Sequence, residues 1–77
     1  MTHLDVSFRY GNAPGAREMQ ALDSVREVYG IRRIRFDEQQ QTIQVEYDAS
    51  RLNENTVASL LRRAGIDLRE RVPLATV

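Results

Sequence analysis

The sequence predicts one α+β domain with the order strand, helix, strand, strand, helix, strand. Three observations carry that expectation. Four stretches alternate apolar and polar residues, two stretches between them repeat apolar residues at helical spacing, and both helical stretches close on a glycine followed by isoleucine, Gly30-Ile31 and Gly65-Ile66. With 77 residues there is room for a single domain. A chain this short buries only about 60% of the surface that its unfolded form exposes, so its core must be compact.

The first strand is expected from His3 to Arg9, with Leu4, Val6 and Phe8 on one side and Asp5, Ser7 and Arg9 on the other. That period of two marks a strand with one buried face. Tyr10-Gly11-Asn12-Ala13-Pro14-Gly15 is a run of turn formers and reads as a loop. A helix should follow from Pro14 or Ala16 to Tyr29, because proline suits a first helical turn, where its missing N–H costs nothing. Ala21, Leu22, Val25, Val28 and Tyr29 make its inward stripe. Gly30 stands where a left-handed cap wants glycine.

Ile31, Ile34 and Phe36 point inward from a second strand, with Arg33, Arg35 and Asp37 opposite, and Glu38 to Gln41 is a hairpin connection. The third strand turns Ile43, Val45 and Tyr47 inward and Thr42, Gln44 and Glu46 outward, before a loop from Asp48 to Leu52. Asn53 is an N-cap for a second helix striped by Val57, Leu60, Leu61 and Ala64, and Gly65 closes it. Ile66, Leu68 and Val72 mark a last strand that Pro73 ends. The domain therefore spans residues 1–73, with 74–77 as a flexible tail. Right-handed crossovers and one core accommodate this order as a ferredoxin-like βαββαβ sandwich: a four-stranded antiparallel sheet with two helices on one face.

Eleven basic residues, every one arginine, balance eleven acidic ones. The balance is local as well, with six arginines against six acids in residues 1–40 and five against five in 41–77. Nucleic-acid binders carry a basic surplus or stripe, and neither is present. No apolar run approaches the roughly 18 residues of a membrane span, and no signal segment opens the chain, so no membrane contact is expected of the domain itself. The absence of cysteine fits a cytoplasmic protein and removes every thiolate ligand and every cysteine nucleophile.

Together, several of these landmarks resemble the heavy-metal-associated domain. That family carries a Gly-Met-x-Cys-x-x-Cys loop opening the first helix, then a Gly-Val pair, a Tyr-Asp-Pro-like turn and a closing Gly-Tyr. Here Gly30-Ile31 resembles the Gly-Val pair, Tyr47-Asp48-Ala49 the Tyr-Asp-Pro turn and Gly65-Ile66 the closing pair. Counting back without a gap places Arg17 and Pro14 at the two cysteines and Gly11 at the family glycine. The likeness covers residues 3–70. It implies a ferredoxin-like fold and kinship with small metallochaperones and the N-terminal domains of metal-pumping P-type ATPases.

The family's metal transport does not carry over to these residues. Copper(I) and zinc are gripped by soft thiolates, whereas proline offers no donor atom and arginine offers only N–H donors and a fixed positive charge. No metal ligand and no cofactor is therefore expected at the corner, and Gly11, Asn12, Ala13, Pro14, Gly15 and Arg17 become candidates for docking a partner instead. Arg33 and Arg35 join them, because an edge strand is either guarded by charge or used for pairing.

Other residues also offer candidate chemistry. His3, the only histidine, and Met19, off the helical stripe, are the alternative metal ligands, either alone or shared in a dimer; one imidazole makes a poor site beside the usual three or four ligands. The glycines around the loop offer an anion a set of backbone N–H groups together with Arg17. Asp23 and Glu27 lie four apart on an outward helical face, and a catalytic carboxylate needs a pocket to shift its pKa. No catalytic residues are assigned, and the chain is not expected to be an enzyme. The functional expectation is a docking or regulatory module for a protein partner or for the remainder of a larger chain. The alternatives are heavy-metal binding through non-cysteine ligands and a weak homodimer that pairs through an edge strand.

Overall fold

The computed structural model describes residues 3–72. Strand β1 (His3–Tyr10), helix α1 (Ala16–Arg26), strands β2 (Ile31–Asp37) and β3 (Thr42–Asp48), helix α2 (Glu54–Arg63) and strand β4 (Leu68–Val72) follow in the expected order. The strands form one antiparallel sheet ordered β2-β3-β1-β4, the ferredoxin-like arrangement. Pro73 and the tail at 74–77 lie outside the described residues.

The core is one cluster. Val6, Phe8 and Tyr10 of β1, Ile34 of β2, and Ile43, Val45 and Tyr47 of β3 meet Leu22 and Val25 of α1 and Val57, Ala58 and Leu61 of α2, with Ile66 closing it. Ala58, outside the expected stripe of α2, is buried as well. Tyr10 corrects the sequence reading, which placed it in the loop. It is the last residue of β1, shares the parity of Val6 and Phe8, and packs edge-to-face on Phe36 with ring centroids 5.7 Å apart. At the other end of β1, Leu4 has inward parity yet is 47% exposed, although its register partner Tyr47 is buried.

Helix α1 begins at Ala16, the later of its two expected starts, and ends before the expected Tyr29. Pro14 precedes the N-cap rather than filling the first turn: Gly15 is the extended N-cap residue, and its N–H donates to the Glu18 carboxylate one turn on. At the C-terminus, Glu27 N–H donates to Ser24 O and Val28 N–H to Val25 O. These i→i−3 bonds tighten the last turn and swing Tyr29 out of the stripe. Tyr29 is 72% exposed, with the Arg51 guanidinium 4.1 Å above its ring. Gly30, at φ +105°, thus closes the turn into β2 instead of capping the helix.

Helix α2 ends as its glycine predicts. Gly65 has φ +95°, its N–H donates to Arg62 O, and Ile66 N–H donates to Leu61 O. That pair of bonds is a Schellman motif, and Ile66 and Leu61, both buried, supply its apolar contact. Asn53 caps the other end by accepting from Thr56 N–H at 2.8 Å.

Two irregularities decide which face the edge residues occupy. In β2 the register shifts between Ile31 and Arg33. This bulge, at Arg32, lets Ile31 and Ile34 both face the core although they are three residues apart. In β4 the register shifts so that Tyr10 pairs with Leu68 but Phe8 with Arg71. Directly paired residues share a face, so Arg71 lies on the helix side, where it meets Glu54 of α2 at 3.2 Å. Val72, expected inward, stands opposite Ser7 on the open face.

Asp48 is the last residue of β3 rather than the first of a loop, and it is buried. Its carboxylate accepts from the Ser50 hydroxyl at 2.7 Å and the Ser50 N–H at 3.0 Å. These bonds, aided by Arg51, hold its pKa below the usual aspartate value.

Candidate functional site

The loop after β1 enters α1 at the end of the sheet that also holds the β2–β3 hairpin, since Tyr10 N–H donates to Gln41 O at 3.0 Å. At this corner the loop is tied to the segment after α2. Gly11 N–H donates to the Asp67 carbonyl at 2.9 Å, and Asn12 N–H donates to the Asp67 carboxylate at 3.0 Å. The same carboxylate oxygen accepts from the Arg69 guanidinium at 3.0 Å. The Asn12 N–H, with Arg69 assisting, lowers the Asp67 pKa below the usual range. A side chain at Gly11 would run into Asp67 and Arg69, so this glycine is what lets the clasp close. Glu18 completes the corner: its carboxylate takes the Gly15 N–H at 2.6 Å, and its stem lies against Gly65.

The corner is thus held by the chain's own carboxylates. Of the backbone donors expected to greet an anion, those of Gly11, Asn12 and Gly15 are already bonded, and Pro14 has none. Pro14 is half-buried, while Asn12, Ala13 and Arg17 are exposed. Arg17 makes no ion pair among the described residues. Among the same residues there is no group of three or more His, Cys, Asp or Glu side chains placed to hold a metal ion.

The other candidates lie elsewhere. His3 pairs in register with Asp48 at the far end of β1, whereas Met19 sits in the first turns of α1 beside the corner, 39% exposed. The length of β1 separates them, so one molecule does not bring them together. Asp23 is bonded to Arg26 at 3.0 Å and Glu27 is the C-cap residue of α1; the two do not form a paired-carboxylate site.

Arg33 and Arg35 lie on the open face of the sheet, away from the helices, and with Asp5, Gln44 and Glu46 they line a shallow depression of about 220 Å³. The structure therefore divides the docking candidates into two surfaces, the corner and the arginine-bearing edge. A ladder of cross-strand ion pairs on this face is the simplest expectation, but among the described residues only Arg9 and Glu70 form one there, at 3.4 Å. Arg33 stands opposite Glu46 without pairing within 4.0 Å. The aromatic residues of the strands, Phe8, Tyr10, Phe36 and Tyr47, face the helices or the core edge, which leaves no base-stacking platform among the described residues of the open face.

Asp67 and Glu18 build the corner, and the sequence marks them unequally. Glu18 carries a local signal, an acid three residues after the N-cap. Asp67 carries none, because its partner Asn12 is 55 positions away. The chain matches no family model, no curated protein and no solved structure.

Proposed function

We propose that the chain is a non-catalytic docking or regulatory module, built like a heavy-metal-associated domain whose metal-gripping corner has become a closed structural joint. It works in the cytoplasm on a protein partner or on the remainder of a larger chain. The observation that carries this reading is the carboxylate clasp. Where the resemblance places two thiolates, the chain has Pro14 and Arg17, and the surrounding donors are committed to Asp67 and Glu18. A soft cation finds there no thiolate and a permanent positive charge. A corner that no longer exchanges a ligand still presents an exposed surface, Asn12, Ala13 and Arg17, to a macromolecule.

Titrating the ¹⁵N-labelled protein with copper(I) and, separately, with zinc tests this reading. The expected result is that the amides of residues 11–19 stay in place and the protein keeps its mass in solution. Sub-micromolar binding that moves those amides would overturn it. Metal-dependent dimers with shifts at His3 or Met19 would replace it with shared, non-cysteine ligation.

A further inference from the structure

The two edges of the sheet manage their charges differently. At β4, a five-residue strand with a register break, every charged residue is engaged inside the domain: Arg69 with Asp67, Glu70 with Arg9 and Arg71 with Glu54. At β2, seven residues long, Arg32, Arg33 and Arg35 are all exposed, and none makes an ion pair among the described residues. The arginine pair 33 and 35 flanks the open depression, while Ile34 and Phe36 turn to the helix side of the same strand. Alternate residues of an edge strand also direct N–H and C=O groups away from the sheet, a template for one more strand.

We infer that β2 is a docking edge for an extended acidic peptide, which adds to the sheet as a fifth strand. The inference rests on the docking reading above and names the partner's chemistry. Main-chain bonds to β2 supply the pairing. Carboxylates at every second position of the incoming strand fall opposite Arg33 and Arg35, since directly paired side chains share a face. Apolar residues at the intervening positions fall beside Ile34 and Phe36. Arginine's fork suits a carboxylate in this role, and no internal acid competes within 4.0 Å.

A second copy of the chain does not fit the middle of the edge. Two-fold antiparallel pairing of β2 with itself, centred on Arg33, Ile34 or Arg35, sets arginine directly opposite arginine, and like charges so placed are destabilising. The charges that reject self-pairing are the ones that select an acidic strand.

The test uses a capped seven-residue peptide alternating glutamate and valine, with the same peptide carrying glutamine for glutamate as its comparison, added to the ¹⁵N-labelled protein at low salt. The acidic peptide is expected to shift the amides of residues 31–37 and slow their hydrogen exchange, leaving β4 unmoved. The glutamine peptide, and the acidic peptide added to an R33Q/R35Q variant of unchanged melting temperature, should bind at least about tenfold more weakly, the loss of a charge-assisted contact. Equal binding of both peptides, shifts confined to β4, or no shift at millimolar peptide would each overturn the edge site. Shifts at residues 11–17 instead would also overturn it, while leaving the docking reading itself intact with the corner as its surface. A concentration-dependent dimer that loses its β2 exchange protection in R33Q/R35Q would contradict the charge argument directly.

Discussion

A P14C/R17C double variant, kept reduced, is expected to bind copper(I) where the parent chain does not. The substitutions put thiols at the two positions that the sequence register assigns to the family's cysteines, one just before the N-cap Gly15 and one in the first turn of α1. A helix N-terminus lowers a thiol's pKa and favours the thiolate that grips the ion. Removing Arg17 also removes a fixed positive charge from the site. With free copper(I) held about 100-fold above its dissociation constant, binding to the folded state alone adds about 2.7 kcal/mol of stability, less whatever affinity the unfolded thiols retain. Calorimetric melting with and without copper(I) reads the gain. No gain in the double variant, with the fold intact, would mean that the corner does not share the family's geometry, and the resemblance would lose its anchor.

Replacing Leu61 with alanine is expected to cost about 3 kcal/mol, within the range measured for fully buried leucines. Leu61 has no exposed surface, belongs to the core cluster, and accepts the Ile66 N–H that closes α2. Truncation leaves a cavity between α2 and the sheet, and also weakens the Schellman contact that directs the chain toward Asp67. For a 77-residue domain the total stability is roughly 4–12 kcal/mol, so this single change removes a large share of it. Urea unfolding should show a lower midpoint with a preserved slope. The half-buried Leu60 is the control, and its alanine variant should lose clearly less. Equal losses at 60 and 61 would mean that the helix presents a different face to the sheet.

Most of the architecture was legible because the chain's local signals agree with one another. Period-two alternation located β1, β2 and β3, Asn53 capped α2 as its side chain predicts, and both glycines that precede isoleucine have positive φ. The errors arose where a non-local contact or an irregular turn took over. Tyr10 looked like the start of a loop because it adjoins Gly11, but Phe36, remote in sequence, gives its ring a place in the core. Tyr29 fitted a helical stripe, but the helix had tightened and stopped three residues earlier. In β2, the three-residue spacing of Ile31 and Ile34 held a clue to the bulge, since strict alternation cannot bury both. In β4, Arg71 on the helix side is set by a register break and by Glu54, which no periodicity in that segment announces.

The candidate site was legible only in what it lacks. Pro14 and Arg17 announce that a thiolate grip is missing, and that much follows from donor chemistry. What replaces it depends on Asp67, which topology brings to Asn12 by ending α2 beside the end of β1. The two loose arginines of β2 required the same kind of information. Glu46 stands opposite Arg33 in the register and Asp5 lines the same depression, yet neither acid pairs with Arg33 or Arg35 within 4.0 Å.

The clasp between the loop and Asp67 is tested most directly by an NMR pH titration of the Asp67 carboxyl, read together with the Asn12 amide proton. A bonded carboxylate should titrate below the ordinary aspartate value near 3.9, and the Asn12 amide should move upfield with the same midpoint as its acceptor is protonated. Because the folded value is the lower one, the clasp's contribution to stability is present above the unfolded pKa and is lost as the pH falls through the folded pKa. An Asp67 that titrates at the ordinary value beside an Asn12 amide that does not follow it would contradict the closed corner on which this account rests.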